Sequence, residues 1–350
     1  MYDKVKLWVM RTRDTPDVSN FLDKAKDHVD HETGEVCTFG SLEGLKVSIY
    51  TGGISIIGSL AKFLYPNNIY PLDRHGTRQA ITKLSDSLHL DVADAKVTSM
   101  EFGRAFVMRH PVENYLSKLG DTPKLLRYHF DVGTLYYKPQ SPRQHKVLAF
   151  YDKKADARVK GMVLPDGFDN ANLLKYEMRF NGRLPQQMNV PEVTASTLSE
   201  SVFYRLMVRK YQENYFAISK LNQVKTDIMS EIKTVSDAFD VLVARLINQS
   251  DQTQIATFME ELKEAKVFDD RKSYTRLKKK IQDVATKAGV TVSDGLVKEL
   301  DDEIIKVIYN ESGIGRDFFM LSFFFCGMNL KDIFEMEYFP DIIDIDRAKT

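Results

Sequence analysis

Two short stretches hold the residue types best suited to chemistry. HKVLAFYDKKADA (145–157) carries Tyr151, with Lys146 before it and Lys153, Lys154 and Arg158 after it; NLLKYEMRFNGRL (172–184) carries Lys175, Glu177 and Arg179. A phenol is a poor nucleophile when protonated, with a pKa of about 10. A nearby cation favours phenolate, and a metal ion polarises a phosphate under attack. A tyrosine beside lysines, near carboxylates flanked by cations, has the parts for transesterification of a phosphodiester. Tyr151 would attack DNA, leaving a covalent phosphotyrosine and a free 3′-hydroxyl. Lys153 or Arg179 would steady the phosphate charge, while Glu101 and Glu177 are hard oxygen ligands of the kind Mg²⁺ or Mn²⁺ takes. Lys146, Lys154, Arg158 and Lys175 are the cations placed to meet the DNA backbone. Tyr128, Tyr136 and Tyr137 compete with Tyr151, and pattern does not exclude them. A Tyr-Asp-Lys at a strand end is also a common surface turn.

The elements that must position these residues follow from periodicity. In the first stretch Leu148 and Phe150 point one way and Ala149, Tyr151 and Lys153 the other. In the second, Leu174, Tyr176, Met178 and Phe180 make an apolar face opposite a charged face of Lys175, Glu177 and Arg179. Both read as strands, with a basic loop between them. DAKVTSMEFGRAFVM is another strand, with Val97, Ser99, Glu101 and Gly103 on one face and Met100, Phe102 and Phe106 on the other. Glu101 matters only if Glu177 is its neighbour. KVKLWV (4–9) reads as a first strand with Val5, Leu7 and Val9 inward. LKVSIY and ISIIGSL flank Thr51-Gly52-Gly53, a hairpin signal because glycine supplies positive φ.

A helix is expected over 76–90, from Ala80, Ile81, Leu84 and Leu88, and a short one after Pro111. LLRYHFDVGTLYYKP reads as strand–turn–strand. The charged segment 15–36 reads as a solvated loop: His28, His31 and Cys37 fit no common zinc spacing. His129 and His145 form no His-hydrophobic-His triplet and read as structural. After Pro191 a long helix begins, with Thr194 or Ser196 as N-cap, and the pattern stays helical to about 311, with breaks near Ser250, Phe268–Asp270 and Gly289. RKSYTRLKKKIQDVATK includes Lys278, Lys279 and Lys280, a run that can track phosphates or form the wet face of a helix. The expected fold is α+β: a central, mainly antiparallel sheet flanked by helices, followed by a helical C-terminal region.

The 350 residues are 43% hydrophobic and 28% charged, as in ordinary globular proteins, and the formal charge of zero gives no argument for a nucleic-acid partner. Two distant cysteines, Cys37 and Cys326, argue against a disulfide framework and suit a reducing cytoplasm. The opening MYDKVKLWVMRTRD carries charges where a signal peptide would be apolar, and FFMLSFFFCGM is too short to span a bilayer, reading instead as a buried helix. No membrane role is expected.

GSLAKFLYPNNIYPLDRHGTRQAITKLSDSLHL, VTSMEFGRAFVMRHPVENYL, VLAFYDKK, LLKYEMRFNGRLP and NVPEVTASTL, in this order, resemble phage and plasmid replication initiators of the gene II/gene X family. The likeness covers roughly the first 220 residues and extends more weakly into the following helices. It implies site-specific nicking of an origin through a tyrosine, with the 3′ end priming rolling-circle replication alongside host helicase and polymerase. The family's hydrophobic-Tyr-x-Lys segment is matched by Phe150-Tyr151-Asp152-Lys153, and its aromatic-Glu-x-Arg segment by Tyr176-Glu177-Met178-Arg179. Its earlier acidic position is matched by Glu101, where relatives often carry Asp. GRDFFMLSFFFCGMNLKDIFEM and DIIDIDRAKT resemble the opening of a Bacteroides-type tyrosine recombinase domain, with Cys326 in the place of the phosphate-binding arginine and no His-x-x-Arg segment before Thr350. Three segments follow: a nickase domain over 1–220, a helical domain over 221–311 and a truncated recombinase-like tail over 312–350. The other readings are a non-catalytic DNA-binding protein for mobilisation or regulation, and a defective recombinase-related fusion.

Overall fold

The apolar alternation of Tyr2–Met10 (β1) makes it an inner strand, and a ten-stranded sheet extends to both sides of it. The computed structural model describes residues 1–130, 133–141, 145–220, 223–224, 228–250, 252–285, 291–292 and 294–311. The further strands are β2 (Asp23–Val29), β3 (Val36–Leu42), β4 (Leu45–Tyr50), β5 (Gly53–Ser59), β6 (Lys96–Met108), β7 (Leu125–Phe130), β8 (Thr134–Pro139), β9 (Lys146–Asp152) and β10 (Asn172–Asn181). Their order is β2-β3-β4-β5-β1-β6-β10-β9-β8-β7, with every paired neighbour antiparallel. The helices are α1 (Leu60–Leu64), α2 (Arg74–Leu88), α3 (Val112–Leu116), α4 (Lys153–Val159), α5 (Leu184–Met188), α6 (Ser201–Phe216), α7 (Val235–Gln249), α8 (Gln252–Glu264), α9 (Arg271–Ala285) and α10 (Gly295–Glu311). The α+β expectation therefore holds, helical C-terminal region included.

The apolar face of β10 is sealed by α6. Phe150 and Tyr176 stack at 4.3 Å with rings 5° apart. The Tyr176 hydroxyl donates to the Tyr211 carbonyl and the Tyr211 hydroxyl to the Tyr176 carbonyl, each at 3.1 Å. This exchange satisfies two buried phenols and pins helix to strand, each bond contributing about 1 kcal/mol. α10 joins the same core through Leu300, Ile304 and Val307, whereas Ile228, Val241 and Ala244 form a small separate cluster.

Two irregularities in the β1–β6 ladder decide what faces where. Tyr2 pairs with Phe102 and Val5 with Met100, so Asp3 and Lys4 together oppose Glu101; Lys6 pairs with Ser99 but Leu7 with Val97. Each extra residue reverses the side-chain alternation locally. The first bulge carries Asp3 away from the core face that Tyr2, Val5 and Leu7 share. The second turns Val97 into the core, 4% exposed, and not onto the Glu101 face expected from simple alternation.

Several other expectations change. Segment 15–36 is not a loop throughout: β2 pairs with β3, His28 opposite Cys37, but all seven residues of β2 are exposed, so no hydrophobic period marks it. The β4–β5 hairpin forms, yet neither Gly52 nor Gly53 has positive φ. Gly53 is needed because a Cβ there would lie 2.4 Å from Cζ2 of Trp8. The expected basic loop after Tyr151 is α4, capped by Asp152 Oδ1, which accepts from the backbone N–H groups of Lys154 and Ala155. Thr194 Oγ1 accepts from the Thr197 N–H in a short 3₁₀ turn (Ser196–Ser199), and α6 begins later without a side-chain cap. Gln223–Val224 pairs with Thr291–Val292 inside the region read as helical. Breaks do occur between α7 and α8 and between α8 and α9. Gly289, Cys326 and the tail over 312–350 lie outside the described residues.

Gly103 sets the β6–β10 spacing. A Cβ there would come within 2.2 Å of the Tyr176 carbonyl oxygen and 2.5 Å of Glu177 Cα. Both are backbone atoms that cannot rotate aside. Gly103→Ala should cost about 2 kcal/mol or more in urea unfolding, while Gly52→Ala, with nothing within 4 Å of the new carbon, should stay within about 0.5 kcal/mol.

Candidate active site

The face of the sheet opposite α6 gathers the charged side chains. Glu177 pairs with Gly103 on one side and Ala149 on the other, Lys175 with Ala105 and Tyr151, and Arg179 with Glu101 and Val147. Both neighbours of Glu177 are small, and Glu177 itself is 2% exposed. Carboxylate oxygens of Asp3, Glu101 and Glu177 all lie within 4.8 Å of one another. Arg179 donates from Nη2 to Glu177 Oε1 at 2.6 Å and from Nε at 2.8 Å, with Glu101 Oε1 3.8 Å from Nε. The Tyr151 hydroxyl donates to Glu177 Oε2 at 3.2 Å.

Among the described residues the buried charged side chains are Asp3, Lys153, Lys175, Glu177 and Asp294, and all but the last belong here. Buried charge is costly unless paired. Asp3 accepts from Ser59, from Asn68 Nδ2 at 2.8 Å and from Lys175 Nζ at 3.4 Å. Burial opposes its charge, but Lys175 and these donors outweigh it and hold its pKa below the ordinary value. Glu101 goes the other way: burial, then Glu177, push its pKa up to about 7 against the pull of Arg179. Hard carboxylate oxygens in such a group fit a divalent cation of the Mg²⁺ or Mn²⁺ type. His28, His31 and Cys37 form no ligand group among the described residues.

Of the expected residues, Tyr151, Glu101, Glu177 and Arg179 meet on this face. Lys153 is there too, 2% exposed, with Nζ 3.3 Å from Asp156 Oδ2. The expectation that lysines acidify the phenol is corrected. Burial, then Glu177, raise the Tyr151 pKa well above its ordinary value, and burial followed by Lys175 lowers that of Lys153. Lys175 is no surface contact: it is 2% exposed and held by Asp3. Lys146 lies on the opposite face, bonded to Asn214 in a cavity of about 480 Å³ shared with Lys124, Lys210 and Arg183. Lys154 donates to the Asp169 carbonyl, and Arg158 is exposed at the far end of α4. Lys278 pairs with Asp121 at 2.6 Å, while Lys279 and Lys280 are exposed. Tyr137 is buried, its hydroxyl donating to the Gly120 carbonyl at 2.6 Å. Tyr136 lies on the charged face, with the Arg179 guanidinium 5.4 Å from its ring.

Sequence reasoning missed Asp3, because a strand with Val5 and Leu7 inward puts residue 3 inward too. The available signal was Tyr2. Its three-residue spacing to Val5 breaks the two-residue period and marks an inserted residue.

Glu101 carries a pH signature. Its folded pKa of about 7 exceeds the ordinary 4.5, so between those values the folded protein binds the extra proton. Stability measured in chelator should therefore fall as pH rises through this window. Thermal melts should show that slope in the parent protein and a flatter one in Glu101→Gln.

The family defined by the N-terminal domain of the phage gene II replication-associated protein matches residues 1–217. Comparison with curated proteins gives no match. Among solved structures, a rolling circle replication initiator protein from Geobacillus stearothermophilus matches 65% of this chain and 88% of its own, at 12% identity and a TM-score of 0.34. On the family match, which covers well over half of its length, the chain belongs to the replication-associated family to which that N-terminal domain gives its name.

Proposed function

We propose that this protein initiates rolling-circle replication by nicking one strand of a phage, plasmid or mobile-element origin, with Tyr151 as nucleophile. One observation carries the reading: the Tyr151 hydroxyl donates at 3.2 Å to a carboxylate of a three-acid group. Glu177 Oε2 is within reach to accept the phenol proton as Oη attacks phosphorus. The bond to the 3′-oxygen breaks, and that oxygen leaves as a 3′-hydroxyl once protonated. The phosphate stays on Tyr151 as a diester, preserving its reactivity for rejoining. Arg179 holds Glu177 in place and keeps 28% of its side chain exposed beside it, so in this reading it balances phosphate charge. Lys153, 2% exposed with Nζ 3.3 Å from Asp156 Oδ2, is the second cation of this face available to balance phosphate charge.

A divalent cation held by Asp3, Glu101 and Glu177 would act as a Lewis acid on the phosphate oxygens. The exposed cations Arg158, Lys279 and Lys280 extend the DNA contact, and the released 3′ end is the substrate for a host polymerase and its helicase. Residues 1–220 carry the nicking reaction in this reading. Residues 221–311 add a helical unit whose α10 packs on the nicking domain.

Incubation with supercoiled origin DNA and Mn²⁺ should yield relaxed circles and a denaturant-stable protein–DNA adduct. Tyr151→Phe should abolish the adduct while the fold remains; undiminished nicking by that variant overturns the assignment, and a parent protein that binds without nicking marks a non-catalytic DNA-binding protein. Asp3→Asn should weaken Mn²⁺ binding by about ten-fold or more in calorimetric titration.

A further inference from the structure

We propose that the outer face of the β7–β8 hairpin is a stacking platform for the bases of single-stranded DNA leading away from the acid cluster, a choice of ligand that rests on the nickase reading. The hairpin closes one edge of the sheet. Its core side buries Leu125, Leu135 and Tyr137, as a sheet packed on one face should. Its other side is apolar where solvent would favour polar residues: Leu126 is 42%, Tyr128 41% and Phe130 45% exposed, with Tyr136 half-buried among them. Clustered exposed aromatics on an edge hairpin are an aggregation hazard unless something binds them.

The geometry favours a nucleic acid. Lys138 Nζ sits 5.1, 5.3 and 5.6 Å from the ring centroids of Tyr128, Tyr136 and Phe130, so a cation stands inside the aromatic group. A dry protein interface would have to desolvate that ammonium, whereas a strand with bases on the rings keeps a phosphate beside it. The platform is also continuous with the chemistry. Register runs Glu177–Ala149–Tyr136–Tyr128 across adjacent strands, and the Tyr136 ring meets the Arg179 guanidinium at 5.4 Å. At about 4.8 Å per strand, Tyr136 lies about 10 Å and Tyr128 about 15 Å from Glu177. A strand whose phosphate reaches Tyr151 can therefore lay its neighbouring bases on these rings.

The test is binding of a fluorescein-labelled oligothymidylate to the full chain, read by anisotropy in EDTA so that nicking chemistry is silent. Tyr128→Leu and Phe130→Leu keep the apolar bulk but lose the ring, and each should weaken binding about five-fold or more. Tyr128→Trp and Phe130→Trp should retain it. An abasic strand of equal length should bind the parent and the leucine variants alike. Lys138→Gln should lower the salt slope by about 0.7, and the leucine variants should not. Equal affinity of parent and leucine variants, the same loss on the abasic strand, or a parent dimer that the leucine variants fail to form overturns the platform. Adduct formation by the parent protein is scored separately. Leucine-variant losses without any adduct leave the platform standing and remove the nickase reading; an adduct with no such losses does the reverse.

Discussion

The three-acid group on the charged face depends on one inserted residue. Because Asp3 and Lys4 together oppose Glu101, the chain reverses its alternation once and delivers a third carboxylate beside the two that β6 and β10 supply. Without that bulge Asp3 would share the core face with Val5 and Leu7, and Tyr2 would leave it. Asp3 is satisfied by Lys175, Ser59 and Asn68, whereas burial, then Glu177, push the Glu101 pKa up to about 7. A fold optimised only for stability would not keep four charged residues buried together. In the proposed reading these residues take up a cation and a phosphate, which gives the buried charges a role.

The two faces of β10 are interdependent. On one, the paired Tyr176 and Tyr211 hydroxyl–carbonyl bonds fix the strand against α6; on the other, Gly103 lets β6 approach Glu177 closely enough to align the acids. A slip of one residue would drive Glu177 into the core and Tyr176 into the site. The aromatic layer thus sets the register on which the acid geometry relies.

Much of this was legible in the sequence because it depends on period. The alternation in 172–181 separated Tyr176 and Met178 from Glu177 and Arg179, and the sheet bears this out. Lys175 shows the limit of the method. Alternation gives the face a residue points to, not whether that face is wet, and here loops and α4 cover it. Lys146 was misplaced for a simpler reason: grouped with Tyr151 by proximity in sequence, it falls on the opposite parity. β2 was invisible because an edge strand exposed on both faces needs no apolar period. The direction of the Tyr151 pKa was also misjudged, since the lysines beside it in sequence count for less than burial and the Glu177 carboxylate beside it in space. Which tyrosine touches the acids required coordinates.

The proposed chemistry requires that the Tyr151 hydroxyl, and no other phenol on this face, reach the scissile phosphate beside the three acids. Proteolysis of the covalent protein–DNA product, followed by mass spectrometry of the nucleotide-bearing peptide, reads this out without intermediate steps. The added nucleotide mass should sit on Tyr151. That mass on Tyr128 or Tyr136 would contradict the assignment.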